Sequence, residues 1–291
     1  MTMIAVTGAN GQLGRLVLKH LINLTDAPIR ALVRSPEKAS DLASDRVSVV
    51  KADYDDPATL QGALAGVDRL LLISGSEVGK RVPQHAAVIG AAKAAGVSFI
   101  AYTSLLNADS SSLILAQEHA ETEPLLKASG IAYAALRNGW YVENFAGKVP
   151  LALEHGMVAG ASGDGKFAAA GREDYAEAAA RIVAGDDLTP RTIELAGHPA
   201  FSLEDLAAEI ARQTGRPIAC NNLSEEAYAG VLVQAGLPEG FAKALADSDR
   251  GAAAEELFNP STALEELIGH PVKTLADMVR ETLASIETVP A

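Results

Sequence analysis

Cysteine is nearly absent: Cys220 is the only one in 291 residues. No intrachain disulfide can form and a thiolate metal cluster is excluded, which fits a reducing cytoplasm. Positive charge is also short. Lys and Arg number 24 against 37 Asp and Glu, a net charge of −13. Such a chain repels phosphate backbones rather than neutralising them, so no nucleic-acid partner is expected; the acidity serves solubility. Long apolar runs are missing. None approaches the ~20 residues of a membrane helix, and no basic segment precedes an apolar one at the start, so neither a membrane nor a signal peptide is expected. No internal repeat or low-complexity tract is present. The hydrophobic share of 48% is ordinary and supports a sizeable core, in one large domain or two small ones.

The richest stretch is the first thirty-odd residues. Ile4 to Thr7 reads as a short buried strand, and Gly8-Ala9-Asn10-Gly11-Gln12-Leu13-Gly14 follows as a Gly-x-x-Gly-x-x-Gly turn. From Gln12 to Leu24, apolar Leu13, Leu16, Val17, Leu21 and Leu24 have the spacing of an amphipathic helix. A second strand, Ile29 to Val33, ends in Arg34. Strand, glycine turn, helix, strand opens a dinucleotide-binding fold. Glycines permit the tight turn, and the helix N-terminus offers free N–H groups and a positive dipole end to a pyrophosphate. An NAD site usually places an acid at the second strand end, whereas an arginine suits the 2′-phosphate of NADP. Arg34 stands there with no carboxylate beside it at that strand end. The expected cofactor is therefore NADP, with NADPH preferred over NADH.

The chain continues in the same rhythm. Val47 to Val50 is a third strand, followed by Asp53, whose carboxylate either accepts from the adenine amino group or is a plain loop acid. Asp56 and Pro57 suit a helix start. Val67 to Ile73 is a fourth strand ending in Ser74-Gly75-Ser76, small residues that leave room for a ligand. Helices over Val82–Ala95 and Leu113–Ser129 alternate with strands over Val97–Tyr102 and Ile131–Leu136. After the sixth strand come Arg137, Asn138, Gly139, Trp140 and Tyr141. This predicts an α/β fold: a Rossmann-type doubly wound parallel sheet with a smaller, mostly helical C-terminal part. Residues 1–140 would form the NADP-binding domain and 141–291 a smaller substrate-site domain intertwined with it. Gly156 to Gly171 holds five glycines and reads as loop with short strands. Helices are expected at 172–184, 202–214, 224–235, 240–247, 261–268 and 274–286, with a further strand at 193–195.

A reductase of the short-chain dehydrogenase kind needs a Tyr four residues before a Lys on the helix after the fifth strand. None of the six tyrosines has that spacing. Tyr133 and Arg137 lie on a strand, about 13 Å apart. No catalytic residue is assigned, and any hydride acceptor must need little acid catalysis. His119 and Glu123 share a helix face that reads as solvated, with no third ligand, so no metal is expected. Asp247 to Gly251 only superficially resembles a calcium loop. His85 is a pocket residue or a packed surface histidine. Trp140, Tyr141 and Asn144 are placed to face a nicotinamide and a flat substrate, or else to seal a junction.

Several stretches carry a family resemblance: Val6 to Gly14, Leu71 to Gly79, Phe99 to Leu106, Leu136 to Asn144, Gly163 to Lys166 and Leu267 to Pro271. Over nearly its whole length the chain resembles the NmrA-like, atypical short-chain dehydrogenase/reductases, and within them the bacterial type 2 NAD(P)H:quinone oxidoreductases. The resemblance implies NADPH binding through Thr7, Gly8, Ala9, Asn10, Gly11, Gln12 and Leu13, Arg34, Ser74, Gly75 and Ser76, and Asn138, Gly139, Trp140, Tyr141, Val142 and Glu143. It implies two-electron reduction of a quinone by direct hydride transfer without a Tyr-Lys pair; separately, a cytoplasmic location and a monomer or homodimer are expected. Asn10 stands where Thr is common, and Gly75 where Ser is common. Other readings are a catalytically silent NADP(H)-binding redox sensor, as in other members of the wider family, and a reductase of another flat acceptor such as a triphenylmethane dye.

Overall fold

The computed structural model describes residues 2–287. Seven strands form the main sheet: β1 (Ile4–Val6), β2 (Ile29–Val33), β3 (Val47–Lys51), β4 (Arg69–Leu72), β5 (Phe99–Leu105), β6 (Ala132–Asn138) and β8 (Arg191–Leu195), in the order β3-β2-β1-β4-β5-β6-β8. The pairings of β1 to β6 are parallel. Between the strands run α1 (Gln12–Leu24), α2 (Pro57–Leu64), α3 (Arg81–Ala95), α4 (Ile114–Ser129) and, before β8, α6 (Arg172–Ala184). Helices cover both faces, so β4 and β5 are apolar along nearly their whole length, and Leu70, Leu71, Leu72, Phe99 and Ile100 have no exposed surface. Of the stripe read for α1, Leu13, Val17 and Leu21 are buried, Leu16 is half-buried and Leu24 is exposed, while Leu18, outside that reading, is buried as well. α3 stops where Gly96 turns left-handed at φ +76°.

The chain divides into two compact units. The first holds residues 1–108, 117–138 and 173–194; the second holds 109–116, 139–172 and 195–291. The second unit contains a small parallel sheet of β7 (Met157–Gly160) and β9 (Ala219–Asn222). With it are α5 (Lys148–His155), α7 (Leu203–Thr214), α8 (Glu225–Gln234), α9 (Glu239–Ala253), α10 (Ala263–Ile268) and α11 (Leu275–Glu287). α7 opens with a capping box: Ser202 Oγ accepts from Asp205 N, and Asp205 accepts from Ser202 N.

Three differences from the sequence reading have physical causes. β5 and β6 run on through Thr103-Ser104 and Arg137-Asn138, residues polar enough to read as loop, because the ladder continues with Thr103 opposite Leu136 and Leu105 opposite Asn138. Two of the buried side chains share one partner: Ser104 Oγ donates to Glu123 at 2.7 Å, as does Arg137. α5 and β9 carry no strong pattern, and all four β9 residues are exposed. α9 continues past Asp247 because Asp247, Ser248 and Asp249 are buried with partners; Asp247 accepts from Ile114 N at 2.8 Å and Asp249 from Ala161 N at 2.9 Å.

Candidate cofactor and active site

The strand order reverses between β1 and β4, and such sheets bind ligands at the carboxyl ends of the strands beside that switch. One residue stitches the two ends together. Thr7 N donates to Leu71 O at 3.0 Å, and Thr7 Oγ1 accepts from Ile73 N at 2.9 Å. Gly8 then turns with φ +58°, and Gly11 N donates back to Gly8 O at 2.9 Å. A Cβ on Gly14 would lie 2.4 Å from Gly8 O, so only glycine lets α1 start this close to the turn. No side chain caps α1 and no acid occupies its first turn, which leaves its positive end available to an anion. Asn10, the departure from the common Thr, has a structural use: its Oδ1 accepts from Arg15 Nε at 3.1 Å, and Arg15 pairs with Asp41 at 2.6 Å.

At the end of β4 the backbone is held group by group. Tyr54 Oη donates to Ile73 O at 2.8 Å, and Ser74 N donates to Thr103 Oγ1 at 2.8 Å. Gly75 is gripped on both sides: its N–H donates to His85 Nε2 at 3.0 Å, and its carbonyl accepts from Arg81 Nε at 2.7 Å. A Cβ at position 75 would come within 2.8 Å of Gln84 Oε1, the far end of a flexible side chain that a small shift would move aside.

His85 is neither a pocket residue nor a surface histidine. It is completely buried. Because Nε2 accepts from Gly75, its proton resides on Nδ1 and is donated to Thr122 Oγ1 at 2.9 Å. The expected solvated face at His119 is likewise corrected: it is 6% exposed, its Nδ1 is 2.7 Å from Tyr102 Oη, and Tyr102 is itself fully buried. Burial, and secondarily the charge of Arg81, pull His85 down to about 4 and His119 down to about 3 from an ordinary 6.5. Both rings are neutral at pH 7. Unfolded, they take up protons below about 6.5, so the unfolded state gains protons first and stability falls as pH drops from about 6.5 towards 4. The urea midpoint should decline across that window, and the decline should shrink in a His85→Gln/His119→Gln variant; equal slopes would contradict the assignment.

Arg34 is exposed at the end of β2, as expected, but a carboxylate does stand beside it. Glu77, from the loop after β4, lies 3.3 Å from Arg34 Nη1. Asp53 turns back on its own loop, its Oδ1 accepting from Asp55 N at 3.1 Å. At the end of β6, Arg137 forks onto Glu123 at 2.9 and 2.7 Å and reaches Glu194 at 2.8 Å. Beside it, Asn138 Oδ1 is buried without a hydrogen-bond partner among the described residues.

In the second unit the segment after β6 is braced on the strip 170–172. Val142 N donates to Ala170 O at 2.9 Å, and Ala170 N donates to Trp140 O at 3.1 Å. The Arg172 guanidinium lies 4.5 Å over the Tyr141 ring. Glu143 accepts from Arg172 N at 3.1 Å and pairs with Lys273 at 3.4 Å. Trp140 and Tyr141 are partly exposed and Asn144 is exposed. A Tyr–Lys contact that spacing could not reveal also lies here: Lys148 Nζ donates to Tyr228 Oη at 2.5 Å and to Ala159 O at 2.8 Å. Tyr228 is only 5% exposed, so the pair braces this unit. Burial lowers the Lys148 pKa and raises that of Tyr228. Among the described residues no group of three His, Cys, Asp or Glu side chains could hold a metal, and no helix is long and apolar enough to cross a membrane.

The residues present fit a dinucleotide: an uncapped helix start, a tight glycine turn against which only Gly14 lets α1 pack, and an orphaned amide oxygen at Asn138. The model of the NmrA-like family matches residues 1–282. The chain is 55% identical over 278 residues to quinone oxidoreductase 2 of Escherichia coli, covering 95% of this chain and 97% of the relative. It superposes with a TM-score of 0.94 and 54% identity on an NADPH-dependent quinone oxidoreductase from Escherichia coli complexed with NADPH, covering 97% and 100% of the two chains. The triphenylmethane reductase of Citrobacter sp. complexed with NADP(H) superposes with a TM-score of 0.90 at 35% identity, covering 96% and 99%.

Proposed function

The chain belongs to the NmrA-like family, and we propose that it is an NADPH-dependent quinone oxidoreductase. The observation that carries this reading is likeness along the full length to such an enzyme solved with NADPH. Bound NADPH supplies a hydride from its nicotinamide C4 directly to the quinone, a two-electron step that needs little acid catalysis from the protein. The protein's part is binding and orientation.

In the first unit, the turn Thr7 to Leu13 and the start of α1 hold the pyrophosphate, Arg34 takes the 2′-phosphate and Asp53 the adenine amino group. Ser74, Gly75 and Ser76 line the site on a backbone that Tyr54, Thr7, Thr103, His85 and Arg81 hold rigid. His85 acts from beneath this loop and not on the quinone. Asn138 contributes its buried amide. By the family resemblance, Gly139, Trp140, Tyr141, Val142 and Glu143 are further cofactor candidates, and Trp140, Tyr141 and Asn144 are candidates for the flat acceptor. A cytoplasmic location and a monomer or homodimer complete the reading.

The test is decay of NADPH absorbance with a simple benzoquinone or naphthoquinone, beside NADH and a triphenylmethane dye. Rapid oxidation by the quinone, faster with NADPH, is expected. Calorimetric NADPH binding with no oxidation by any acceptor would turn the reading to a redox sensor; turnover with the dye alone would make it a dye reductase.

A further inference from the structure

Glu77 carries a charge that the cofactor reading leaves without a role. Its Oε1 lies 3.3 Å from Arg34 Nη1 and its Oε2 2.9 Å from Lys80 Nζ. The position is built. On one side the Gly75 peptide is gripped by His85 and Arg81. On the other, the Glu118 carboxylate accepts from Gly79 N at 3.1 Å and Arg81 N at 2.9 Å. Glu77 rides on the short span between these anchors, so the loop itself presents a carboxylate to Arg34.

We propose that Glu77 sets the cofactor preference of this enzyme by opposing the 2′-phosphate at Arg34, holding NADPH-over-NADH discrimination below what the arginine alone would give. The inference rests on the reading of Arg34 as the 2′-phosphate residue. A phosphate monoester carries between one and two negative charges near neutral pH. Forked onto Arg34, it shares one guanidinium with the carboxylate, and like charges that close repel. The Arg34 and Glu77 side chains are 69% and 37% exposed, so solvent and salt screen the repulsion and the effect is several-fold rather than of many orders. The 2′-hydroxyl of NADH is uncharged and can donate to a carboxylate, so Glu77 does not count against it. Lys80 offsets part of the carboxylate's charge.

Calorimetric titration of 2′,5′-ADP and 5′-AMP, alongside NADPH and NADH, tests this on the wild type, Glu77→Gln, Arg34→Ala and the double variant. Glu77→Gln is expected to tighten NADPH and 2′,5′-ADP by about three- to tenfold and to move NADH and 5′-AMP by less than about twofold. The gain should shrink at high salt, and be smaller on the Arg34→Ala background, where the phosphate is no longer drawn against the carboxylate. An unchanged or weaker 2′,5′-ADP in Glu77→Gln, while Arg34→Ala still loses it selectively, overturns the role of Glu77 and leaves Arg34 standing. An equal gain for 5′-AMP overturns it too, because the carboxylate would then act on the cofactor's charge at large. If Arg34→Ala shows no selective loss, the 2′-phosphate reading fails and this inference with it.

Discussion

Arg34→Ala is expected to weaken NADPH binding by about 1.5–3 kcal/mol, roughly 10- to 150-fold, while NADH binding moves by less than about twofold. The guanidinium stands at the end of β2, exposed and held on one nitrogen by Glu77, so the rest of its fork is available. A charge-assisted, two-pronged contact to a phosphate is stronger than a neutral hydrogen bond. NADH has a hydroxyl at that position and loses little. Arg34→Lys should fall between, because an ammonium keeps the charge and loses the fork. Fluorescence titration of both cofactors checks this. A preference unchanged in Arg34→Ala would remove Arg34 from the 2′-phosphate site.

Arg137→Leu is expected to cost about 3 kcal/mol of folding stability, or to prevent recovery of folded protein. Arg137 lies at the end of β6, 6% exposed, and neutralises Glu123 and Glu194 together. Without it two partly buried carboxylates lose the cation they share, and such uncompensated charge is far costlier than a missing surface pair. Ser104 Oγ still donates to Glu123, which is small compensation. Adding Glu123→Gln to Arg137→Leu should recover part of the loss, since the remaining amide carries no charge. Urea unfolding at neutral pH is the measurement. A loss under about 1 kcal/mol would mean that the cluster relaxes into solvent.

The cofactor-binding fold was legible because its signals are local. α1, β2 and α6 begin and end where the sequence reading places them, at Gln12–Leu24, Ile29–Val33 and Arg172–Ala184. Gly14 is readable as a contact glycine from its place in the turn, and the clash a Cβ would make with Gly8 O bears this out. β8 showed only a faint pattern, and it lies at the sheet edge with three of its five residues intermediate in burial. β9 showed none, since each of its side chains is exposed.

The sequence by itself determined the alternation of strands and helices through β6, the glycine turn before α1 and the arginine at the second strand end. These depend on residues within one or two turns of each other, where alternation, helical period and turn chemistry act directly. Only the tertiary structure decided what surrounds them. It brought Glu77 to Arg34 across 43 residues, set His85 beneath Gly75, buried His119 against Tyr102 and paired Lys148 with Tyr228 across 80 residues. Which distant groups meet is set by loop closure and by the packing of whole elements, and no local spacing encodes that.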